Sequence, residues 1–427
     1  MSKGEVSIVG TAAVTCLTLF LRLQSPEGAM ARPTSAEQGG SEVKASADPC
    51  GVNPCITFVG NLRAGDNFLL AEGHDDLRKK DKSYFFKGLA PLLDSSSVVF
   101  GNLETPFVGK PTPKRASRLD TFWTDRKTAS ALEKVNITTV SLANRHMTDF
   151  GDAGLEKTIS ALEERGIRYL GVESSVPVEA DGQATAPSTS RAMDAPDATA
   201  TSSSPKVEDP TIFRRQFRKG KVTFDLAVFN AMSAPPKSRT AKWRILDFDI
   251  TLGERIADFK STFPQVFAVA YLGNAPVWGP ATVKQQQEAH ALIDAGADLV
   301  VGYGSRYLQE VERYNGKWIV YGLGDAVTTA DLKIPPRNER WPFSGALRLV
   351  LTENGDELVP SVRLYPILND VTQTAFQPRL LGKQAFGDLF WYLLRKERIE
   401  YDYFRKMKMH PGMDTTGRFI SLRRGTK

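Results

Sequence analysis

The chain has 427 residues, 41% of them hydrophobic and 24% charged, with 55 basic against 49 acidic side chains. That length accommodates one large domain or two ordinary ones, and the composition is that of a globular protein. A net charge of +6 spread along the whole length, without a zinc-finger, basic-helix or stacking-platform motif, excludes a nucleic-acid reading.

Residues 6–21 carry no charge and include Ile8, Val9, Val14, Leu17, Leu19, Phe20 and Leu21. The run is short for a full membrane span and long enough for a signal. Ala29-Met30-Ala31 has the small-x-small form of a cleavage site. Residues 1–23 are therefore read as a signal peptide or signal-anchor, which predicts a secreted or membrane-anchored protein; a frayed apolar terminus is the alternative. Cys50 and Cys55 bracket Gly51-Val52-Asn53-Pro54 and can close a small loop in an oxidising compartment. Residues 24–55 are rich in Ser, Pro, Gly, Ala and Glu and read as a linker.

Regular structure is predicted from a strand at 56–59, closed by Gly60-Asn61. Residues 85–93 suggest a helix with Leu89, Leu92 and Leu93 on one face, interrupted by Pro91. A strand at 97–100 runs into Asn102-Leu103-Glu104, and a helix at 128–135 turns Ala131, Leu132 and Val135 inward. A strand at 140–143 ends in Asn144-Arg145-His146, followed by a helix at 154–164 and a strand at 169–172. This β–α alternation at short spacing predicts a layered α/β fold.

Residues 174–210 break the pattern: 23 of these 37 residues are Ser, Thr, Ala or Pro, the composition of a disordered insertion. Strands are predicted again at 221–229, 265–271, 298–301 and 318–321, with an amphipathic helix at 285–295. Residues 347–351 and 359–365 suggest an antiparallel pair. Residues 380–427 read as a terminal helix (386–396) and a solvated basic tail from 405.

Five predicted strands thus end in polar or glycine-rich loops: Gly60-Asn61, Asn102-Leu103-Glu104, Asn144-Arg145-His146, residues 302–306 and Gly324-Asp325. In an open α/β sheet, ligands sit outside the carboxyl ends of strands. Asn144 and His146 offer lone pairs to a metal, and Asp149 can orient the imidazole. Capping and packing are the alternatives for the same residues.

ITFVGN, VVFGNLETP, VSLANRHMTDFG, GLEKTISALEERGI, LIDAGADLVVG and YNGKWIVYGLGD occur in that order. Together they resemble the poly-γ-glutamate capsule biosynthesis family (CapA-like), whose members are similar in fold to calcineurin-type metallophosphatases. The resemblance covers roughly residues 56–375 and makes 56–427 a CapA-like domain. It implies a four-layer αββα sandwich with a metal site at the strand ends. In that family the strands end in Gly-Asp, Asn-Leu-Glu, Asn-Asn-His, His-Trp-Gly and Gly-His-His-Pro-His. Here the first Asp is Asn61, the second Asn of Asn-Asn-His is Arg145, and His-Trp-Gly is Tyr271-Leu272-Gly273. The last motif has become Gly302-Tyr303-Gly304-Ser305-Arg306, without an imidazole.

The remaining metal candidates are Asn61, Asn102, Glu104, Asn144 and His146, a set suited to one divalent ion at most and not to a dinuclear site. His146 and Asn144 are the catalytic candidates. Arg145 and Arg306 are expected to converge where the metals would sit and to hold a phosphate or carboxylate, with Tyr271, Tyr303 and Ser305 as added donors. Two functions remain open. One is a pseudoenzyme that binds an anionic small molecule or polymer without turning it over, which the lost ligands favour. The other is a metal-dependent phosphoesterase-type hydrolase, or a capsule or polyglutamate-synthesis enzyme, with an altered one-metal site. Membrane association, if any, runs through the N-terminus.

Overall fold

The computed structural model describes residues 49–109, 121–175, 211–233, 240–248, 250–330, 343–387, 389 and 409–423. All belong to one unit, Val43–Lys427. The signal segment 1–23, most of the 24–55 linker, nearly all of the 174–210 insertion and most of the 386–396 helix lie outside the described residues.

Four parallel strands form the heart of the first sheet: β1 (Cys55–Arg63), β2 (Val98–Leu103), β3 (Thr139–Ser141) and β4 (Arg168–Leu170). Every residue of β1 is buried, which accounts for its apolar run: a central strand covered on both faces has no solvent side to mark. On its other edge β1 pairs antiparallel with Phe343–Asn354 up to Val59, and then parallel with Asp325–Thr328 from Asn61 onward. Gly60 sits at this change of partner. A Cβ there would lie 1.7 Å from the Gly324 carbonyl oxygen, so only glycine lets the two chains approach. The close approach sets Asn61 opposite Asp325.

The second sheet runs in the order Val311–Tyr314, Lys317–Val320, Leu299–Tyr303, Phe267–Gly273, Val222–Met232, Ile212–Lys219. Three apolar layers separate the elements. Phe58, Val98 and Phe100 meet Val228, Val269 and Val301 between the sheets. Their chain neighbours Val59 and Val99 face outward, against Leu132, Leu155 and Ile159 of helices Thr128–Lys134 and Gly151–Glu163. Ala268, Ala270 and Val300 of the second sheet pack on Leu252, Ile256 and Leu292 of helices Ile250–Thr262 and Val283–Asp294. This is the expected αββα order, produced by the period-two alternation of the strands.

The C-terminus differs from the expectation of a solvated basic tail. Met409–Met413 and Arg418–Leu422 form a hairpin that extends the first sheet along Glu357–Leu368. Ile420 and Leu422, two residues apart, enter the inter-sheet core, and the flanking arginines mask that alternation in the sequence. The fully buried Arg348 ties the hairpin down by donating to Thr416 Oγ1 at 3.0 Å. The helix expected at 85–93 is instead a 3-10 segment, Lys82–Leu89, followed by the short α-turn Ala90–Leu93, with Pro91 at its start. A proline is tolerated in a first helical turn but not in a helix interior.

Candidate functional site

A chain of three buried amides joins the ends of β1, β2 and β3. Asn61 donates through Nδ2 to the Ser305 carbonyl (2.7 Å) and to Asp325 Oδ1 (2.8 Å). Its Oδ1 accepts from Asn102 Nδ2 and from the Gly304 amide, each at 3.0 Å. Asn102 Nδ2 also reaches Glu104 Oε1 at 3.2 Å. Asn144 donates to Asn102 Oδ1 (3.0 Å) and the Leu103 carbonyl (2.8 Å), while its own Oδ1 caps the following 3-10 turn by accepting from the His146 amide (3.1 Å). His146 lies at the end of this chain. Its ring stacks on Phe122 at 3.6 Å, and Nδ1 is 3.0 Å from Asp149 Oδ2, which also accepts from the Phe122 amide. The contact with Asp149 and the stack on Phe122 fix the orientation of the imidazole.

Beside the amides lies a buried ionic cluster of two guanidiniums and two carboxylates. Arg63 Nε is 3.2 Å from Glu104 Oε2, and its Nη1 is 3.7 Å from Asp325 Oδ2. The same guanidinium lies over the rings of Phe122 (4.7 Å) and Phe68 (5.7 Å). Arg306 is only 4% exposed. Its Nε stands 4.0 Å from Asp325 Oδ2, and the Trp278 ring covers it at 5.2 Å. Its Nη2 is buried with no hydrogen-bond partner. Burial first, and then Arg63, depress the Arg306 pKa to about 10, against the opposing pull of Asp325 and Glu104. Asn369 closes the cluster: Nδ2 donates to the carbonyls of Arg306 and Asp325, both at 3.2 Å, and its buried Oδ1 has no partner.

Asn61, Asn102, Glu104, Asn144, His146 and Arg306 therefore belong to one connected end of the sandwich. Arg145 does not join Arg306 there. Its side chain is exposed, because it opens a 3-10 turn whose buried positions are His146 and Met147. The second guanidinium is that of Arg63, which sequence motifs did not flag. Its signal was present all the same: two residues beyond Asn61 in a strand, it shares that residue's face.

Tyr271, Tyr303 and Ser305 use their hydroxyls inside the fold. Tyr271 is fully buried and donates to the Val59 carbonyl at 2.8 Å, tying one sheet to the other. Tyr303 sits among Ser141 Oγ (2.8 Å), Asn230 Nδ2 (3.1 Å) and the Ala143 carbonyl (3.0 Å). Burial pushes both phenols up from their ordinary pKa. Ser305 Oγ donates to the Tyr307 carbonyl at 2.8 Å.

Among the described residues, no group of three or more His, Cys, Asp or Glu side chains is arranged to hold a metal ion. Cys50 and Cys55 are joined in a disulfide at the entry to β1. None of the helices in the described residues is long and apolar enough to cross a membrane.

Residues 56–330 match the family model described as bacterial capsule synthesis protein PGA_cap. The PGA biosynthesis protein CapA of Bacillus subtilis is 25% identical over 274 residues, covering 64% of this chain and 62% of that protein. The capsule biosynthesis protein CapA of Bacillus anthracis is 25% identical over 283 residues, covering 64% and 59%. A probable polyglutamine synthesis accessory protein of Mycobacterium tuberculosis is 30% identical over 195 residues, 44% of each chain. The chain thus spans about three fifths or less of the length of these relatives. Because the match to residues 56–330 runs from β1 to the strand that carries Asp325 and exceeds half the sequence, the chain belongs to the PGA_cap family of bacterial capsule synthesis proteins.

Proposed function

We propose that this chain is a metal-independent, anion-binding member of the capsule synthesis family. It holds a carboxylate or phosphate group of an anionic small molecule or polymer without turning it over. The observation that carries the reading is Arg306, a cation 4% exposed whose Nη2 has no partner. A buried guanidinium with an unused donor is costly unless an anion completes it. The donor set does not fit a pair of divalent metals. The amide oxygens of Asn61, Asn102 and Asn144 already accept hydrogen bonds, and Glu104 is turned to Arg63. Two guanidiniums at the same carboxylate would repel further cations.

The second reading, a hydrolase with one metal, draws support from the His146–Asp149 pair, an imidazole held in the manner of a ligand or base. A secreted or envelope location is part of the proposal. The Cys50–Cys55 disulfide supports it, since such bonds persist in oxidising compartments, and so do the capsule-related names of the relatives.

The experiment combines metal analysis of the purified chain with thermal denaturation in EDTA, with and without inorganic phosphate or acetate. Expected are no stoichiometric metal, a rise in Tm with either anion, and loss of that rise in Arg306→Met. About two bound ions per chain, as a two-metal clamp needs, or phosphoester hydrolysis that EDTA abolishes, would overturn the proposal. One bound ion lost on replacing His146 would establish the second reading instead.

A further inference from the structure

A cavity of about 290 Å³ lies on the side of the sandwich where β4 ends the first sheet and Ile212–Lys219 ends the second. None of its lining residues belongs to the strand-end cluster. Gly171, at φ 90°, turns the chain out of β4 into a short antiparallel ribbon, Val172–Ser174 with Trp243–Ile245. The ribbon is stitched to the second sheet: Leu246 donates to the Gly171 carbonyl and Met232 to the Leu246 carbonyl, each at 2.9 Å. The cavity is the space between this ribbon, the start of Ile212–Lys219 and the first turns of helix Ile250–Thr262. Glu173 and Arg244 are paired across the ribbon, with Arg244 Nε donating to Glu173 Oε1 at 2.6 Å. Thr251 and Arg255, one helical turn apart, share a helix face, and Arg255 donates to Thr211 Oγ1. With Asp247, two guanidiniums, two hydroxyls and two carboxylates line one space of small-molecule size. Its apolar lining is Ala231, Leu246 and Leu252, without an aromatic ring.

We propose that this cavity is a second ligand site, separate from the strand-end cluster, for a small anion that also carries hydroxyl groups: a sugar phosphate or a sugar acid. Arg255, with the hydroxyls of Thr211 and Thr251 beside it, takes the anionic group, since a planar guanidinium donates in parallel to two oxygens of a phosphate or carboxylate. The carboxylates of Glu173 and Asp247 accept hydrogen bonds and donate none, so they select ligand groups that donate, which hydroxyls do. Those two negative charges also repel a bare anion, while a neutral sugar leaves the guanidinium unused. Arg244 holds the Glu173 carboxylate in place across the ribbon. The absence of a ring from the lining excludes a stacked nucleobase.

The test is titration calorimetry of the full chain with glucose 6-phosphate and glucuronate as probes, and with glucose and inorganic phosphate as controls. At least one of the two probes is expected to bind roughly tenfold or more tightly than either control, because each control lacks one set of charge-assisted hydrogen bonds. Which probe binds decides between phosphate and carboxylate as the anion. Arg255→Met is expected to abolish the preference, and Thr251→Val, a change at an exposed position, to weaken it. Arg306→Met, which removes a cation of the strand-end cluster, is expected to leave it intact. Absence of binding by both probes overturns the proposal, as does a control that binds as tightly as the probes. A preference that survives Arg255→Met, or that disappears in Arg306→Met, overturns it too, the latter by placing the ligand at the strand ends. The wild-type comparison and Thr251→Val keep the proposal falsifiable if Arg255→Met does not fold. The anion-binding reading of Arg306 stands or falls separately, on the Tm shift with inorganic phosphate or acetate.

Discussion

Replacing Arg306 by methionine sets two effects against each other. Removing one partner of a buried ion pair ordinarily costs about 3–5 kcal/mol, because the other charge is left uncompensated. Here the other charge is Asp325, which keeps Arg63 Nη1 at 3.7 Å and the Asn61 amide at 2.8 Å. The cation itself is poorly held: burial and Arg63 bring its pKa down to about 10, even with both carboxylates pulling the other way. At 1.36 kcal/mol per pH unit, that fall corresponds to about 3 kcal/mol against folding with the charge in place. Methionine keeps most of the stem's packing. It loses the contact of the guanidinium with Trp278, worth about 0.5–1 kcal/mol.

The unliganded Arg306→Met variant should therefore be more stable than the wild type, by about 2 kcal/mol. Equilibrium urea denaturation at pH 7 in anion-poor buffer, followed by circular dichroism with the disulfide intact, measures this directly. The pH dependence has a defined sign. The folded guanidinium releases its proton at lower pH than the unfolded one, so above about pH 10 the unfolded state binds more protons. Wild-type stability then gains on the variant as pH rises. A destabilisation of 3 kcal/mol or more at neutral pH would refute the argument, since it would mean that Arg306 is fully compensated and needs no ligand.

Three further outcomes are expected. Tyr303→Phe should destabilise by about 1–3 kcal/mol, because it removes the hydroxyl from Ser141, Asn230 and the Ala143 carbonyl, yet leave anion affinity unchanged in calorimetry; a large loss of affinity would return Tyr303 to the site. Asn61→Asp restores the carboxylate of the resembling family but sets it against Asp325 Oδ1 and the Ser305 carbonyl. It should lower Tm, and millimolar Mn²⁺ should not restore it, whereas full recovery would show that a metal site is still latent. Replacing both Cys50 and Cys55 by serine opens a loop with a sequence separation of 5 and should cost about 2 kcal/mol by loop entropy, read from the urea midpoint; no change would mean that the bond is not formed in the purified protein.

The sequence by itself determined the layers. Alternating strands and helices, the apolar β1 and the polar strand ends at Asn61, Asn102 and Asn144 were legible because each depends on residues close together in the chain. It also carried the family resemblance through the order of its motifs. The hairpin at Met409–Met413 and Arg418–Leu422 was not legible, since only the edge of Glu357–Leu368 gives Ile420 and Leu422 a core to enter. Which arginine joins Arg306 was likewise decided in three dimensions. Arg145 occupied the expected motif position, but its 3-10 turn exposes it, whereas the switch of β1 from one partner to another at Gly60 carries Arg63 to Asp325. Tyr271 and Tyr303 looked like ligand donors because a hydroxyl near a loop is polar in sequence. Only the packing of one sheet on the other revealed that their hydrogen bonds are made inside the fold. Asn369 had no signal at all: its place beside Arg306 is set by a contact between residues 63 positions apart, and no local pattern encodes a contact of that range.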